Sequence, residues 1–276
     1  MEVDNETSPH ANPSGPLESL GCRPDCLGNR WVAEFDRHGV SRAATIASLP
    51  GDTESVAIDV RRHPTRFVGF FMVDPTQPEA HVAARIAIER DGFRAICLFL
   101  AMHRYSIQDD RVRKLFDVAA AQSGTVVFVH CGVLSVGVRK KLGLPSLFDI
   151  RFGNPLDLHA VALAHPAVPI IIPHFGAGLF REALMVADLC PNILLDTSSS
   201  NSWIKYAPGL TLEAVFKQTL AVLGTDRLLF GSDSSFFPRG WVKDVYEQQS
   251  AALDALHVGA DVKAHIFGGN FDRVFT

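Results

Sequence analysis

Val126-Val127-Phe128-Val129-His130-Cys131-Gly132 is an unbroken apolar run that closes on a histidine. Two further runs have the same form: Ile170-Ile171-Ile172-Pro173-His174-Phe175-Gly176 and Leu228-Leu229-Phe230-Gly231-Ser232-Asp233. Apolar stretches without alternation mark strands of a parallel sheet that is covered on both faces. A polar residue at the C-terminal end of such a strand stands at the rim where α/β barrels keep their chemistry. His130, His174 and Asp233 therefore read as one convergent set. Two imidazoles and a carboxylate are donors that Zn²⁺ uses, with room left for a water.

Outward from these runs, helices and strands alternate. Trp31 to His38 reads as a helix closed by Gly39, and Arg42 to Ala47 as a short strand. Thr53 to His63 is a helix stopped by Pro64, and Phe67 to Val73 a strand stopped by Pro75. Glu79 to Asp91 is amphipathic with Gly92 as its stop, and Phe93 to Phe99 is a strand. Asp109 to Ser123 is the clearest helix: Asp109 or Asp110 caps it, Val112, Leu115, Phe116 and Ala119 form its buried face, and Gly124 ends it. Further helices fall near Pro155 to Ala164, over Gly178 to Leu189 and over Thr211 to Leu223, with a strand at Ile193 to Asp196. The tail, Trp241 to His257 and Asp261 to Phe275, reads as helical with a break at Gly268-Gly269.

Seven strands alternating with helices imply right-handed βαβ units and a parallel sheet. Seven is one short of a closed (β/α)8 barrel, and closure removes exposed edges, so an eighth strand is expected from residues 1 to 10. Pro9, Pro13, Gly15, Pro16, Gly21, Pro24 and Gly28 make the stretch that follows irregular. The expectation is one α/β domain over residues 1–276, a distorted (β/α)8 TIM barrel, with residues 1–30 an irregular N-terminal segment.

Composition fits an enzyme of small molecules. The 276 residues are 47% hydrophobic, enough for a substantial core, and the formal net charge of -4 gives no electrostatic case for nucleic acid. The longest basic run, Arg139-Lys140-Lys141, reads as a solvated loop or helix end. Five cysteines, Cys22, Cys26, Cys97, Cys131 and Cys190, are odd in number and scattered, which argues against a disulfide framework. Cys22 and Cys26 alone are weak evidence for a metal. The first residues are acidic and polar where a secretory leader is basic and then apolar, and no stretch approaches about 18 uninterrupted apolar residues. The expectation is a cytoplasmic protein with a small-molecule substrate and no nucleic-acid or membrane partner; a homo-oligomer is compatible with it.

Several ordered motifs then carry a family resemblance. Gly92-Phe93-Arg94-Ala95-Ile96, Val129-His130-Cys131-Gly132, Pro173-His174-Phe175-Gly176, Pro191-Asn192-Ile193-Leu194-Leu195-Asp196-Thr197-Ser198, Asp226 to Asp233 and Ile266-Phe267-Gly268-Gly269-Asn270 follow one another along the chain. In this order they resemble the amidohydrolase-related proteins. That branch of the amidohydrolase superfamily includes aminocarboxymuconate-semialdehyde decarboxylase, resorcylate-type decarboxylases and lactone hydrolases. The likeness runs from about Trp31 to Phe275. It implies a distorted TIM barrel with one metal at the C-terminal rim. By similarity His130 is the ligand ending the fifth strand, and Asp233 the ligand or base ending the eighth. His174, ending the sixth, holds or polarises the water or substrate. Cys97 stands near the place where binuclear members carry a bridging lysine, which argues against a binuclear centre.

The first strand departs from the pattern. The family opens with Ile/Val-Asp-x-His-x-His, whose two histidines ligate the metal. Setting Val3-Asp4-Asn5-Glu6-Thr7-Ser8 against it replaces both by Glu6 and Ser8; setting Ser8-Pro9-His10 against it keeps only the second, as His10. Three protein ligands and a water still make a catalytic zinc site.

Each site residue also has a plain structural reading. His130 and His174 could be core histidines bonded to backbone carbonyls, and Asp233 could cap the turn at Ser234-Ser235. Their shared place at strand ends favours the functional one. His38, His63, His81, His159, His165, His257 and His265 read as surface or packing residues; Asp196 ends a strand in the right layer, or else bonds its own loop backbone, and Cys131 could reach the site but reads more as small packing. Loops after the strands should shape the pocket: His103-Arg104-Tyr105, Asn201-Ser202-Trp203, and Phe236-Phe237-Pro238-Arg239-Gly240-Trp241. Arg104, Arg239 and Trp241 are the candidates for binding a planar or carboxylated substrate, or else they pack the loops and face solvent.

The resulting expectation is a metal-dependent hydrolase of a small carboxylated or cyclic substrate, a lactone or amide, acting through a metal-activated water. Asp233 moves the proton with His174 beside it. One divalent ion, zinc with manganese as the alternative, is held by His130, Asp233, His174 and His10. The other readings are a non-oxidative, metal-dependent decarboxylase of an aromatic or muconate-type acid, and a ligand-binding barrel that has lost its metal.

Overall fold

Seven strands pair in chain order, each parallel to the next, in a computed structural model that describes residues 27–136, 143, 145–199, 201–235 and 237–276. They are β1 (Ala43–Ala47), β2 (Phe67–Val73), β3 (Ala95–Phe99), β4 (Val126–His130), β5 (Ile170–Ile172), β6 (Ile193–Asp196) and β7 (Leu228–Leu229). The sheet curls into a TIM-barrel-like wall, with β1 and β7 as its two edges among the described residues. The expected first strand near Val3 to Ser8 lies outside the described residues, as do His10, Cys22, Cys26 and Phe236.

The helices are α1 (Leu27–His38), α2 (Glu54–Arg62), α3 (Ala80–Glu89), α4 (Leu100–His103), α5 (Asp110–Ala121), α6 (Leu158–Ala164), α7 (Phe180–Leu189), α8 (Leu212–Leu223), α9 (Lys243–Ala255), α10 (Ala260–Ala264) and α11 (Asn270–Phe275). The strands from β2 to β7 bury both faces, so the core has two layers, whereas β1 leaves Ala44 and Ile46 exposed. Under the helices, Ile96, Leu98, Val127, Val129, Ile170 and Leu195 pack with Leu115, Phe116, Val215 and Phe216. On the other face Val68, Phe70, Ala95, Cys97, Val126, Phe128, Ile171, Leu194 and Leu229 form a second cluster with Phe275 of α11. Side chains of a strand alternate between faces, so one sequence feeds both layers in turn.

The N-terminal end of this wall is sealed by α11. Phe275 packs 5.3 Å from Phe70, ring to ring. Arg42, just ahead of β1, bonds Asp272 and the Phe275 carbonyl, and Asn270 Nδ2 donates to the carbonyls of Thr225 and Leu228. Chemistry is left to the opposite end.

Of the boundaries that differ from expectation, three bear on the two ends of the wall. β7 stops at Leu229, four residues before Asp233, because the Phe230 amide turns away to the Ile266 carbonyl. β5 stops at Ile172, because a left-handed turn begins at His174. The expected break at Gly268-Gly269 is a wide π turn over His265–Gly269 that continues into α11.

Candidate active site

Register places the inner rim. Cys97 pairs with Phe128 and Phe99 with His130. Cys97 and Phe128 belong to the inner cluster, with Phe99 packed against it. Two residues on, the alternation therefore aims Phe99 and His130 inward at the C-terminal end. The same phase on β6 runs from Leu194 to Asp196. Past the end of β2 it runs from Phe70 through Met72 to Asp74.

His130 is 4% exposed. Phe99 lies flat against its ring, with centroids 5.3 Å apart and planes at 23°. Its Nδ1 is buried without a hydrogen-bond partner among the described residues. Burial, helped by the charge His174 can carry, pushes its pKa down to about 3. At neutral pH the ring is neutral, the form that binds a cation.

His174 reaches the same place by another route. His174, Phe175, Gly176 and Ala177 have φ of 57, 49, 80 and 45°, a turn of left-handed residues of which only one is glycine. Such a conformation costs roughly 1–2 kcal/mol per non-glycine residue, and strain of this kind gathers at functional sites. Phe175 anchors the turn, fully buried among Phe180, Trp203 and Phe216. The Val133 amide bonds the Ala177 carbonyl at 2.8 Å. Held so, the His174 ring meets His130 edge to face at 5.2 Å between centroids, and its Nδ1 lies 2.9 Å from Ser198 Oγ.

Asp196 completes this wall. Its Oδ1 accepts the Ser198 backbone N–H at 2.7 Å. Burial raises its carboxyl above the usual range, against the opposing pull of His174 and the Ser198 bonds. A second polar group stands at the ends of β2 and β3. Asp74 accepts from Thr76 and Gln77, and those bonds outweigh burial to hold its carboxyl below the usual range. His103, lowered by burial against the pull of Asp74, stacks on Tyr105 at 6.3 Å.

Among the described residues no hydrogen bond or ring contact joins the other expected residues to the histidine pair. Asp233 is exposed with φ 52°, between serines whose Oγ atoms lie 2.8 Å apart. Arg104 is exposed and donates to the Leu147 carbonyl, tying α4 to the loop after β4. Arg239 is exposed. Trp241 packs between His38 at 5.0 Å and Tyr246 at 5.9 Å, and its backbone N–H donates to Glu34.

The family likeness implies a metal, and the histidine pair fits one. Two imidazoles on one tetrahedral zinc, with Zn–N bonds of about 2.0–2.1 Å, hold their ring centroids about 5 Å apart. That matches the observed 5.2 Å, and the buried Nδ1 of His130, without a hydrogen-bond partner among the described residues, is a donor atom left free for a ligand. Among the described residues no group of three or more histidine, cysteine, aspartate or glutamate side chains stands in metal-holding geometry, so the described donors amount to this pair.

Sequence reasoning singled out both histidines but gave no role to Ser198, Phe99 or Asp74. The signal for Ser198 was the Asp196-Thr197-Ser198 triplet closing a strand. Phe99 and Asp74 were legible only through register, which a single strand does not show.

Comparison with known proteins gives the family and the fold. The sequence model of the Amidohydrolase family matches residues 32–276. Among solved structures, the chain is similar to 5-carboxyvanillate decarboxylase from Novosphingobium aromaticivorans, complexed with manganese and 4-hydroxy-3-methoxy-5-nitrobenzoic acid. Identity is 18%, with 98% of this chain and 84% of that one covered and a TM-score of 0.61. It is similar to an amidohydrolase from Burkholderia multivorans with bound zinc, at 15% identity, covering 90% and 87%, with a TM-score of 0.59. A third, a protein from Pseudomonas putida assigned as a 2-pyrone-4,6-dicarboxylic acid hydrolase, is 17% identical over 90% and 86%, with a TM-score of 0.60. A search of the curated proteins finds no match. No helix among the described residues is long and apolar enough to cross a membrane.

Proposed function

The chain belongs to the amidohydrolase family and is an enzyme of it, and from that premise we propose that it hydrolyses a small cyclic or carboxylated substrate, a lactone or amide, with one divalent ion. The observation that carries this reading is the His130–His174 pair at 5.2 Å on the C-terminal rim of the sheet. Zinc or manganese held there by His130 and His174 would supply Lewis acidity and a nucleophilic water at neutral pH. Asp233 and, from outside the described residues, His10 are the further donors the sequence offers.

The protein's own groups do the rest. Phe99, stacked on His130, gives a flat apolar wall that excludes water and orients a planar substrate. Asp233, exposed in the loop after β7, would take the proton from the attacking water and return it to the leaving group. Arg104 and Arg239, both exposed on rim loops, attract a substrate carboxylate. The free, buried thiols of Cys97, Cys131 and Cys190 suit a reducing, cytoplasmic setting.

A second reading, non-oxidative decarboxylation of an aromatic acid, is favoured by the same Phe99 wall, because a ring stacked there would present its carboxylate to the histidines. Elemental analysis and a panel of lactones, amides and hydroxybenzoates separate the readings, using wild type and His130→Ala, His174→Ala and Asp233→Ala. Lactone or amide turnover, an ion lost in both histidine variants, and loss of turnover in Asp233→Ala are expected. Carbon dioxide release from a hydroxybenzoate would select the decarboxylase. No ion at high added zinc or manganese, and no turnover, would leave a ligand-binding barrel.

A further inference from the structure

The His174 ring has one hydrogen bond among the described residues, to the hydroxyl of Ser198 at 2.9 Å. Ser198 itself is tightly located. Its backbone N–H is taken by Asp196 Oδ1 at 2.7 Å. The preceding Thr197 is bonded twice to Gln249 of α9: its hydroxyl donates to Oε1 at 2.7 Å, and its carbonyl accepts from Nε2 at 2.6 Å. Thr197 and Gln249 are both fully buried. On the far side the backbone of Gly231 presses against the pair. A Cβ there would come within 2.6 Å of Ser198 Cβ and 3.0 Å of Asp196 Oδ2. Ser198 Oγ lies 3.4 Å from that same point. The hydroxyl and the second carboxylate oxygen of Asp196 thus both crowd Gly231, where no side chain would fit, and the Ser198 side chain is within hydrogen-bonding reach of the Asp196 carboxyl.

That arrangement orders the protons. Asp196 offers an acceptor beside the Ser198 hydroxyl, so the hydroxyl can give its hydrogen there and accept from His174 Nδ1. A ligating or base histidine is commonly fixed in this way, through the bond its other nitrogen makes. We infer that Ser198 is a positioning residue: its hydroxyl holds the His174 ring as the Nδ1–H tautomer and turns the unprotonated Nε2 into the site. The assignment deepens the proposed function, since it rests on His174 being a working group of that site. It gives the Asp196-Thr197-Ser198 triplet a specific task.

Spectroscopy of the ring tests it directly. Long-range ¹H–¹⁵N spectra of protein labelled in its histidine rings should show His174 as Nδ1–H in the metal-free wild type. Ser198→Ala should lose that preference and weaken zinc binding about 10–100-fold in chelator competition, with little change in Tm. An Nε2–H tautomer in the wild type overturns the inference and needs no variant to be read. So does an Ser198→Ala protein with unchanged tautomer and zinc affinity. If His174→Ala binds zinc as tightly as wild type, the metal reading of His174 fails, while the tautomer of the wild-type ring still decides the role of Ser198.

Discussion

The rings of His130 and His174 meet edge to face, with centroids 5.2 Å apart and planes at 63°. They arrive there by different mechanics. His130 ends a straight, buried strand and lies on Phe99, whereas His174 rides a left-handed turn clamped by Phe175. One is therefore set by sheet register and the other by strain held in an aromatic nest.

The first prediction follows from the unpartnered Nδ1 of His130. A buried polar atom without a partner costs roughly 1–3 kcal/mol. His130→Phe removes that atom and keeps a ring against Phe99. Metal-free His130→Phe should be as stable as wild type or about 1 kcal/mol more so by urea unfolding, and should bind no zinc. A loss beyond about 2 kcal/mol would mean that the imidazole makes stabilising bonds in the folded protein.

A second prediction concerns the loops that hold the turn. Gly132 has φ 73°, and a Cβ on it would lie 2.1 Å from the Gly176 carbonyl oxygen. The obstacle is backbone, which cannot swing aside as a side chain does. Gly132→Ala should cost about 2–3 kcal/mol and reduce activity through displacement of His174. Unfolding curves and turnover, measured on the same preparation, check both effects.

The third prediction tests how the segment after Asp233 is held. Glu34 of α1 is buried, pairs with Arg37 at 3.0 Å, and accepts the Trp241 backbone N–H at 3.0 Å. Glu34→Ala leaves that amide unpaired and opens space beside Gly240, whose missing Cβ would sit 2.3 Å from the carboxylate. A destabilisation of about 1–3 kcal/mol is expected, with Trp241 moving into water and its fluorescence shifting to the red. An unshifted spectrum would show that the packing of Trp241 against His38 and Tyr246 holds the loop alone.

Much of this was legible in the sequence because it depends on local pattern. Runs such as Val126 to His130 read as strands covered on both faces, and Gly39 and Gly224 directly follow their helices as read, whereas the helices before Gly92 and Gly124 stop at Glu89 and Ala121. The site was less legible where it depends on contacts between distant segments. Nothing near Leu229 marks where β7 stops, since the competing partner of the Phe230 amide is Ile266. Trp241 was read as lining a pocket or packing its loop, and its partners Glu34 and His38 lie about two hundred positions upstream. Ser198 escaped for the same reason: its importance comes from His174 on the neighbouring strand end.

The last prediction is a titration. Asp109 caps α5, accepting the Arg111 N–H at 2.8 Å and its guanidinium at 2.6 Å. The bonds from the Arg111 side chain, then its backbone N–H, lower the carboxyl to about 2 from its ordinary 3.8. The folded form therefore releases this proton more readily than the unfolded chain does. Its stabilisation is complete above about pH 4 and is lost as the pH falls through about 2. The pair is solvent-exposed, so the effect should be that of a helix cap, about 1 kcal/mol, and not the full Coulomb energy of the shift. Asp109→Ala should thus be about 1 kcal/mol less stable than wild type at pH 7, with the gap narrowing between pH 4 and pH 2. A gap that stays constant over that range would show that the cap works without its charge.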